Sequence, residues 1–283
     1  MDGYQIFTDA TSDLAPELTA GLPSVEMIPM NVEIGGTEYS YGSPEGITAK
    51  EFYRLQRAGN FATTSQINPT IYFKHFEPCL RQGTDILYLC TYQSAFLAVE
   101  ELQQEYPERR IICIDTLAAA VGEGFLVREA AKKQREGLSI DELASWVMEH
   151  RLEVCHWFTV DTFTHLKHGG RVSGAAAAMG TALQIKPLLH VDSEGKLQAV
   201  EKPRGRKKAV TTQIARMEQG WKPELGKSIL IGHADDPEAA DMLKERLLEQ
   251  FPDSEICIAY IGPIIGAHTG PGALALIYWG NNR

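Results

Sequence analysis

No run in the 283-residue sequence reaches the roughly 18 consecutive apolar residues that a membrane-spanning helix needs. The first residues also lack the charged-then-apolar pattern of a secretory leader. Positive charge is in short supply. The 27 Lys and Arg stand against 37 Asp and Glu, a net of −10, which argues against a nucleic-acid or anionic-membrane surface. Cysteine is sparse: Cys79, Cys90, Cys113, Cys155 and Cys257 form no C-x-x-C pair and lie mostly in apolar runs. That is the pattern of reduced core thiols, not of disulfides or metal ligands. These absences predict a soluble cytoplasmic protein with no membrane span and no nucleic-acid partner.

The usual catalytic signatures are missing as well. There is no H-E-x-x-H, no G-x-S-x-G, no P-loop, and no G-x-G-x-x-G after a strand. Gly169 and Gly174 have the spacing of P-loop glycines, but Ala175-Ala176 follow where Lys and Ser or Thr would be required. His165 and His168 share a helical face without a third ligand nearby, so neither a metal nor another cofactor is expected.

What the chain does have is short apolar runs alternating with amphipathic helical patterns, which predicts an α/β fold. Strands are expected near 4–8, 25–34, 85–90 and 110–115, with helices beginning near Thr48, Asn68, Tyr92 and Ala118. Thr48 and Ser139 each precede a Glu at capping-box spacing, and Asn68 and Asp236 each precede a first-turn proline. A new strand begins at Val154, which predicts two associated α/β domains, 1–152 and 153–283, with a ligand cleft between them. The second contains a Gly/Ala-rich helix over 173–183, strands near 186–192, 197–202 and 228–233, and a basic helix from 206.

Several clusters carry candidate chemistry. Gly262 to Gly272 reads as a rigid loop between strands, because Gly permits φ > 0 and Pro fixes φ, and it presents His268 and Thr269. Thr63-Thr64-Ser65-Gln66 lies just before a helix, where unpaired N–H groups favour an anion. Arg171 stands among glycines, and its guanidinium suits a carboxylate or phosphate. Asp9, Thr11, Ser12 and Asp13 follow the first strand. Helix capping is the plain alternative for the hydroxyl clusters. The small residues 175–180 either pack closely or leave room for an elongated apolar ligand.

In order, Asp9-Ala10-Thr11-Ser12-Asp13-Leu14, Thr64-Ser65-Gln66, Thr91-Tyr92-Gln93-Ser94-Ala95, Gly169-Gly170-Arg171-Val172-Ser173, Ile185-Lys186-Pro187 and Gly262 to Gly272 resemble the DegV family of bacterial fatty-acid-binding proteins. The resemblance covers nearly the whole chain. It implies two α/β domains enclosing one long-chain fatty acid, the carboxylate near Thr64, Ser65, His268 and Thr269 and the tail in an apolar tunnel. It also implies a non-enzymatic carrier that presents the acid to a separate fatty acid kinase, with Arg171 near the head group. Asp9, Thr11, Ser12 and Thr91 are further cleft candidates, and a monomer is expected. Two departures stand out. Ile67 replaces a family proline, and Cys90 runs into Thr91 where the family has a Ser-Ser-x-Leu-Ser-Gly loop, read here as a stretch missing from the numbered sequence rather than from the protein.

Arg204-Gly205-Arg206-Lys207-Lys208 concentrates positive charge on an acidic chain, so Arg204 and Arg206 are candidates for docking the kinase. Two other readings remain open. One is a hydrolase or acyltransferase using His268 with Ser12, Thr64 or Ser65; the other is a phosphosugar- or nucleotide-binding protein.

Overall fold

The apolar runs of the first half form a parallel sheet. The computed structural model describes residues 3–91, 94–172 and 184–283. In it β1 (Tyr4–Asp9) lies between β2 (Val25–Ile28) and β6 (Asp85–Cys90), and β7 (Ile111–Asp115) completes the order β2-β1-β6-β7. All pairings are parallel. β6 is buried from Ile86 to Cys90, as expected of a strand covered on both faces.

The run expected as one strand over 25–34 is two strands in different sheets. Pro29 lacks the N–H that a central ladder needs, and the chain breaks there. β3 (Met30–Ile34) then pairs antiparallel with β4 (Thr37–Tyr41) and β5 (Ala62–Thr64). Gly35 and Gly36, at φ 62° and 77°, make the two-residue turn from β3 to β4.

The second half forms a six-stranded sheet, β10-β9-β8-β13-β11-β12. Its strands are β8 (Val154–Thr159), β9 (Leu188–Val191), β10 (Leu197–Glu201), β11 (Ser228–His233), β12 (Glu255–Tyr260) and β13 (Leu274–Trp279). Only β11 and β12 pair in parallel.

Local signals place the helices well. Thr48 caps α1 (Ala49–Arg57), and Asn68 caps α2 (Pro69–Arg81). α3 (Ser94–Glu105) and α4 (Val121–Arg135) follow. Ser139 and Glu142 form a full capping box on α5 (Ile140–His150). Beyond it come α6 (Thr164–His168), α7 (Arg206–Gly220), α8 (Pro237–Gln250), capped by Asp236, and α9 (Pro263–Thr269). This last helix overturns the expectation of a loop: Pro263 opens it, and Gly270, at φ 74°, ends it. The expected helix over 173–183 lies outside the described residues.

The strand period of two divides β13 between two cores. Ala275, Ile277 and Trp279 join a large core shared with Ile6, Leu87 and Phe125. Leu274, Leu276 and Tyr278 face a second core with Val210, Ile214 and Leu243 of α7 and α8. The large core is continuous across the parallel and six-stranded sheets.

Candidate ligand-binding site

α9 is a short helix held from outside. The Tyr53 hydroxyl of α1 donates to the Ile261 carbonyl at 2.7 Å, and Gln56 Nε2 donates to the Gly266 carbonyl at 3.0 Å. A methyl group on Gly266 would overlap the Tyr53 hydroxyl. This clamp directs His268, in the last turn, toward β5, where its Nε2 lies 3.0 Å from Thr64 Oγ1. Its Nδ1 has no hydrogen-bond partner among the described residues and rests on Gly169, where a methyl would overlap it. Burial, helped by the nearby charge of Arg171, lowers the His268 pKa to about 4, so the imidazole is neutral near pH 7. In one tautomer the ring donates to Thr64, which frees the Thr64 proton for an external acceptor.

Two cavities meet at this imidazole. The outer one, about 340 Å³, is lined by 62–66 of the chain, His168, Gly169, Arg171 and His268. The inner one, about 220 Å³, is walled mainly by apolar side chains such as Phe158, Leu166, Val191, Leu197 and Ile277. Arg171 and His268 belong to both walls. Thr269 lines the inner cavity while its hydroxyl donates to the Ile265 carbonyl at 3.3 Å. Thr64 and Ser65 line the outer one. Arg171 is exposed, and its Nη1 donates to the Gly169 carbonyl at 2.5 Å.

The other expected cleft residues are placed differently. Asp9, Thr11 and Ser12 are fully buried and reach neither cavity wall, because they serve a hydrogen-bonded cluster behind it. Asp9 accepts from the Thr11 N–H at 2.8 Å, the Thr11 hydroxyl at 2.5 Å and the Tyr88 hydroxyl at 2.8 Å. Glu123 on α4, wholly buried, lies 2.8 Å from Thr11 Oγ1, 2.6 Å from Thr91 Oγ1 and 3.3 Å from Thr8 Oγ1. Thr91 also donates to the Ala118 carbonyl at 2.7 Å. A hydroxyl has one proton. Thr11 and Thr91 each face two acceptors, so a proton held by the Asp9–Glu123 pair supplies one of the contacts that their own protons leave open. Burial and the nearby Asp9 charge raise the Glu123 pKa well above the ordinary carboxyl value, consistent with a protonated acid.

Thr91 alone of that group reaches the inner cavity. Cys90 and Thr91 are consecutive in the full sequence, which overturns the expectation of a stretch missing between them. Asp13, at φ 49°, turns its carboxyl toward Gly262 at the start of α9.

His165 and His168 hold the Phe61 ring, with centroids 5.2 and 4.6 Å away. Among the described residues no cluster of three or more His, Cys, Asp or Glu side chains is placed to hold a metal ion, and no helix is long and apolar enough to cross a membrane. Arg206 departs from its expected docking role. Its guanidinium is occupied by Asp161 at 2.9 Å, Asp236 at 3.0 Å and the Gly272 carbonyl at 2.6 Å, whereas Arg204 is exposed.

The family model described as an uncharacterised protein, DegV family, matches residues 4–281. The chain belongs to the DegV family. A DegV domain-containing protein of Clostridium perfringens is 39% identical over 290 residues, covering 100% of this chain and 99% of that one. A solved DegV-family protein of Thermus thermophilus, described for fatty acid binding, is 30% identical with a TM-score of 0.85, over 98% of this chain and 99% of its own. The fatty acid kinase B3 protein of Streptococcus pneumoniae, solved loaded with linoleic acid, shares the fold at a TM-score of 0.86 and 19% identity, over 98% and 99% of the two chains.

The sequence reading of this DegV chain missed Glu123 and His156. Glu123 stands between Gly122 and Gly124 inside α4, and each glycine is costly there, by about 1 kcal/mol relative to Ala. Two such costs around one acid were the available signal. A methyl on Gly124 would overlap the Ser12 carbonyl, and one on Gly122 the His156 ring. His156 was visible only as one polar residue in an apolar strand.

Proposed function

We propose that this protein is a non-enzymatic carrier of one long-chain fatty acid, bound between two α/β domains that divide near residue 152. The carrying observation is that His268 and Arg171 stand in the walls of both a polar outer cavity and an apolar inner one. A carboxylate at that junction would meet Thr64, Ser65, the neutral His268 and the Arg171 guanidinium, while its tail would enter the inner cavity. The Thermus relative's fatty acid binding supports this reading. The inner cavity, about 220 Å³, adjoins the outer one of about 340 Å³ at His268, so tail and head group have separate, connected spaces. Among the described residues no carboxylate orients His268 Nδ1, which disfavours the triad logic of a hydrolase. Organic-solvent extraction of the purified protein followed by mass spectrometry tests the proposal. About one fatty acid per chain is expected; a water-soluble phosphate compound would refute it.

The carrier is proposed to present the bound carboxylate to a fatty acid kinase in the cytoplasm, with Arg171 next to the acceptor oxygen. Guanidinium stabilises charge developing on a phosphoryl group. The pneumococcal fatty acid kinase B3 protein makes this reading reasonable. Arg171→Ala should reduce acyl phosphate formation by a partner kinase more than it reduces fatty acid affinity; equal turnover at saturating fatty acid would remove Arg171 from the transfer step.

A further inference from the structure

His156 lies in the apolar wall of the inner cavity and is only 3% exposed. Neither of its ring nitrogens has a hydrogen-bond partner among the described residues. The Val154 backbone is close enough to influence its protonation, yet makes no hydrogen bond of acceptable geometry. Burial, reinforced by the charge of Arg283, holds its pKa well below the ordinary imidazole value. The ring is therefore neutral and offers one donor and one acceptor. Buried polar groups in folded proteins are nearly always partnered, and one left bare in a cavity wall calls for an explanation.

Its position along the sheet is defined by register. Phe158 pairs with Ala275, and His156 pairs with Ile277; all four line the inner cavity. β13 follows α9 in the chain, so the His156–Ile277 pair lies one two-residue step, roughly 6–7 Å, farther along β13 from its α9 end than the Phe158–Ala275 pair. The imidazole thus lies on the tail side of the cavity. Gly122 makes room for it from α4, since any side chain there would overlap the ring.

We propose that His156 makes the cavity selective for acyl chains that carry an oxygen function, a hydroxyl or keto group, in the half of the chain distal to the carboxylate. A hydroxyl can accept from the imidazole N–H or donate to its bare nitrogen, according to which edge it meets; a keto group accepts from the N–H. A plain hydrocarbon does neither, and leaves the ring unpartnered. The inference deepens the carrier reading and rests on it.

The test is a comparison of dissociation constants for octadecanoic acid and its hydroxy isomers, with the hydroxyl stepped along the distal half of the chain. Wild type and His156→Leu are measured by displacement of a fluorescent fatty acid. At the position opposite His156, the affinity ratio of hydroxy to plain acid should be about tenfold higher in wild type than in His156→Leu, equivalent to about 1.4 kcal/mol. A ratio that is the same in both proteins at every position overturns the proposal. Should His156→Leu fail to fold, the wild-type series decides alone: a local maximum of affinity supports the proposal, and a uniform loss at every hydroxyl position overturns it. Absence of octadecanoic acid binding would defeat the carrier reading first and this inference with it, whereas binding without hydroxyl selectivity defeats only the inference.

Discussion

Behind the cavity wall, Asp9 and Glu123 are buried with their oxygens engaged by Thr8, Thr11, Thr91, Tyr88 and the Thr11 backbone. In the wall itself, His156 and His268 are also held neutral by burial, but among the described residues only His268 Nε2 has a partner. The two groups have similar chemical standing and opposite bookkeeping of hydrogen bonds. The acid cluster closes on itself, so it joins β1, β6 and α4 and needs nothing from outside. The imidazoles do not close, and their open nitrogens are where an external group gains the most. The contrast that can be tested is between a cluster whose carboxyl oxygens are engaged by protein groups and two cavity-wall imidazoles whose nitrogens are not all engaged.

The strongest way to break that contrast is to open the closed cluster. Glu123→Ala removes the acceptor of Thr8 and one partner each of Thr11 and Thr91 and leaves a cavity, and should lower the unfolding free energy by about 3 kcal/mol. Glu123→Gln, with an amide that can donate where the protonated acid did, should cost about 1 kcal/mol. Urea unfolding of the pair checks this, and equal losses would show that the shared proton does not matter.

Next in size is the open side. Thr64→Val and His268→Ala should weaken fatty acid binding about ten- to a hundredfold, the range of a hydrogen bond to a charged group, with little loss of stability. Titration calorimetry set beside thermal melts separates the two readouts. A variant that loses stability but keeps its affinity would move His268 to the structural class.

A smaller effect is expected where backbone meets ring. Gly169→Ala should push His268 off Thr64 and cost about 1–2 kcal/mol through overpacking. Its effect on affinity should approach that of Thr64→Val; unchanged binding would mean the ring can shift freely.

The pH response sharpens the contrast further. His268 moves down from its ordinary 6.5 to about 4, so the unfolded chain binds protons first. Its contribution to stability is complete above about pH 6.5 and is lost as pH falls toward 4. The raised Asp9 and Glu123 act with the opposite sign, giving stability at acid pH that is lost as pH rises above the ordinary carboxyl range. Thermal midpoints between pH 6.5 and 4 should therefore fall less in His268→Asn than in wild type; identical slopes would deny His268 its neutral buried state.

The smallest effect belongs to the exposed cation. Arg204→Glu should change the unfolding free energy by less than about 0.5 kcal/mol, as a surface change does. Arg206→Glu, next to Asp161 and Asp236, should cost several times more, and comparison of their melting curves distinguishes a free surface charge from an engaged one.

The sequence determined by itself whatever rests on neighbours along the chain. Thr48, Asn68, Ser139 and Asp236 announce their helices because a cap acts within three residues. The buried strands are visible because apolar runs need no partner to be recognised. The ordered motifs carried the family, and with it Thr64 and His268. Tertiary structure decided the rest. β5 is only 3 residues long, and its place beside β3 depends on nonlocal pairing. The glycines and prolines of 262–272 read as a loop, yet Tyr53 and Gln56, far away in the chain, clamp a helix there. Arg206 looked like surface charge until Asp161 and Asp236 were brought to it. Whether Glu123 and His156 have partners depends on which strands and helices surround them, and no local pattern encodes that, because a hydrogen bond is satisfied by distance in space and not along the chain.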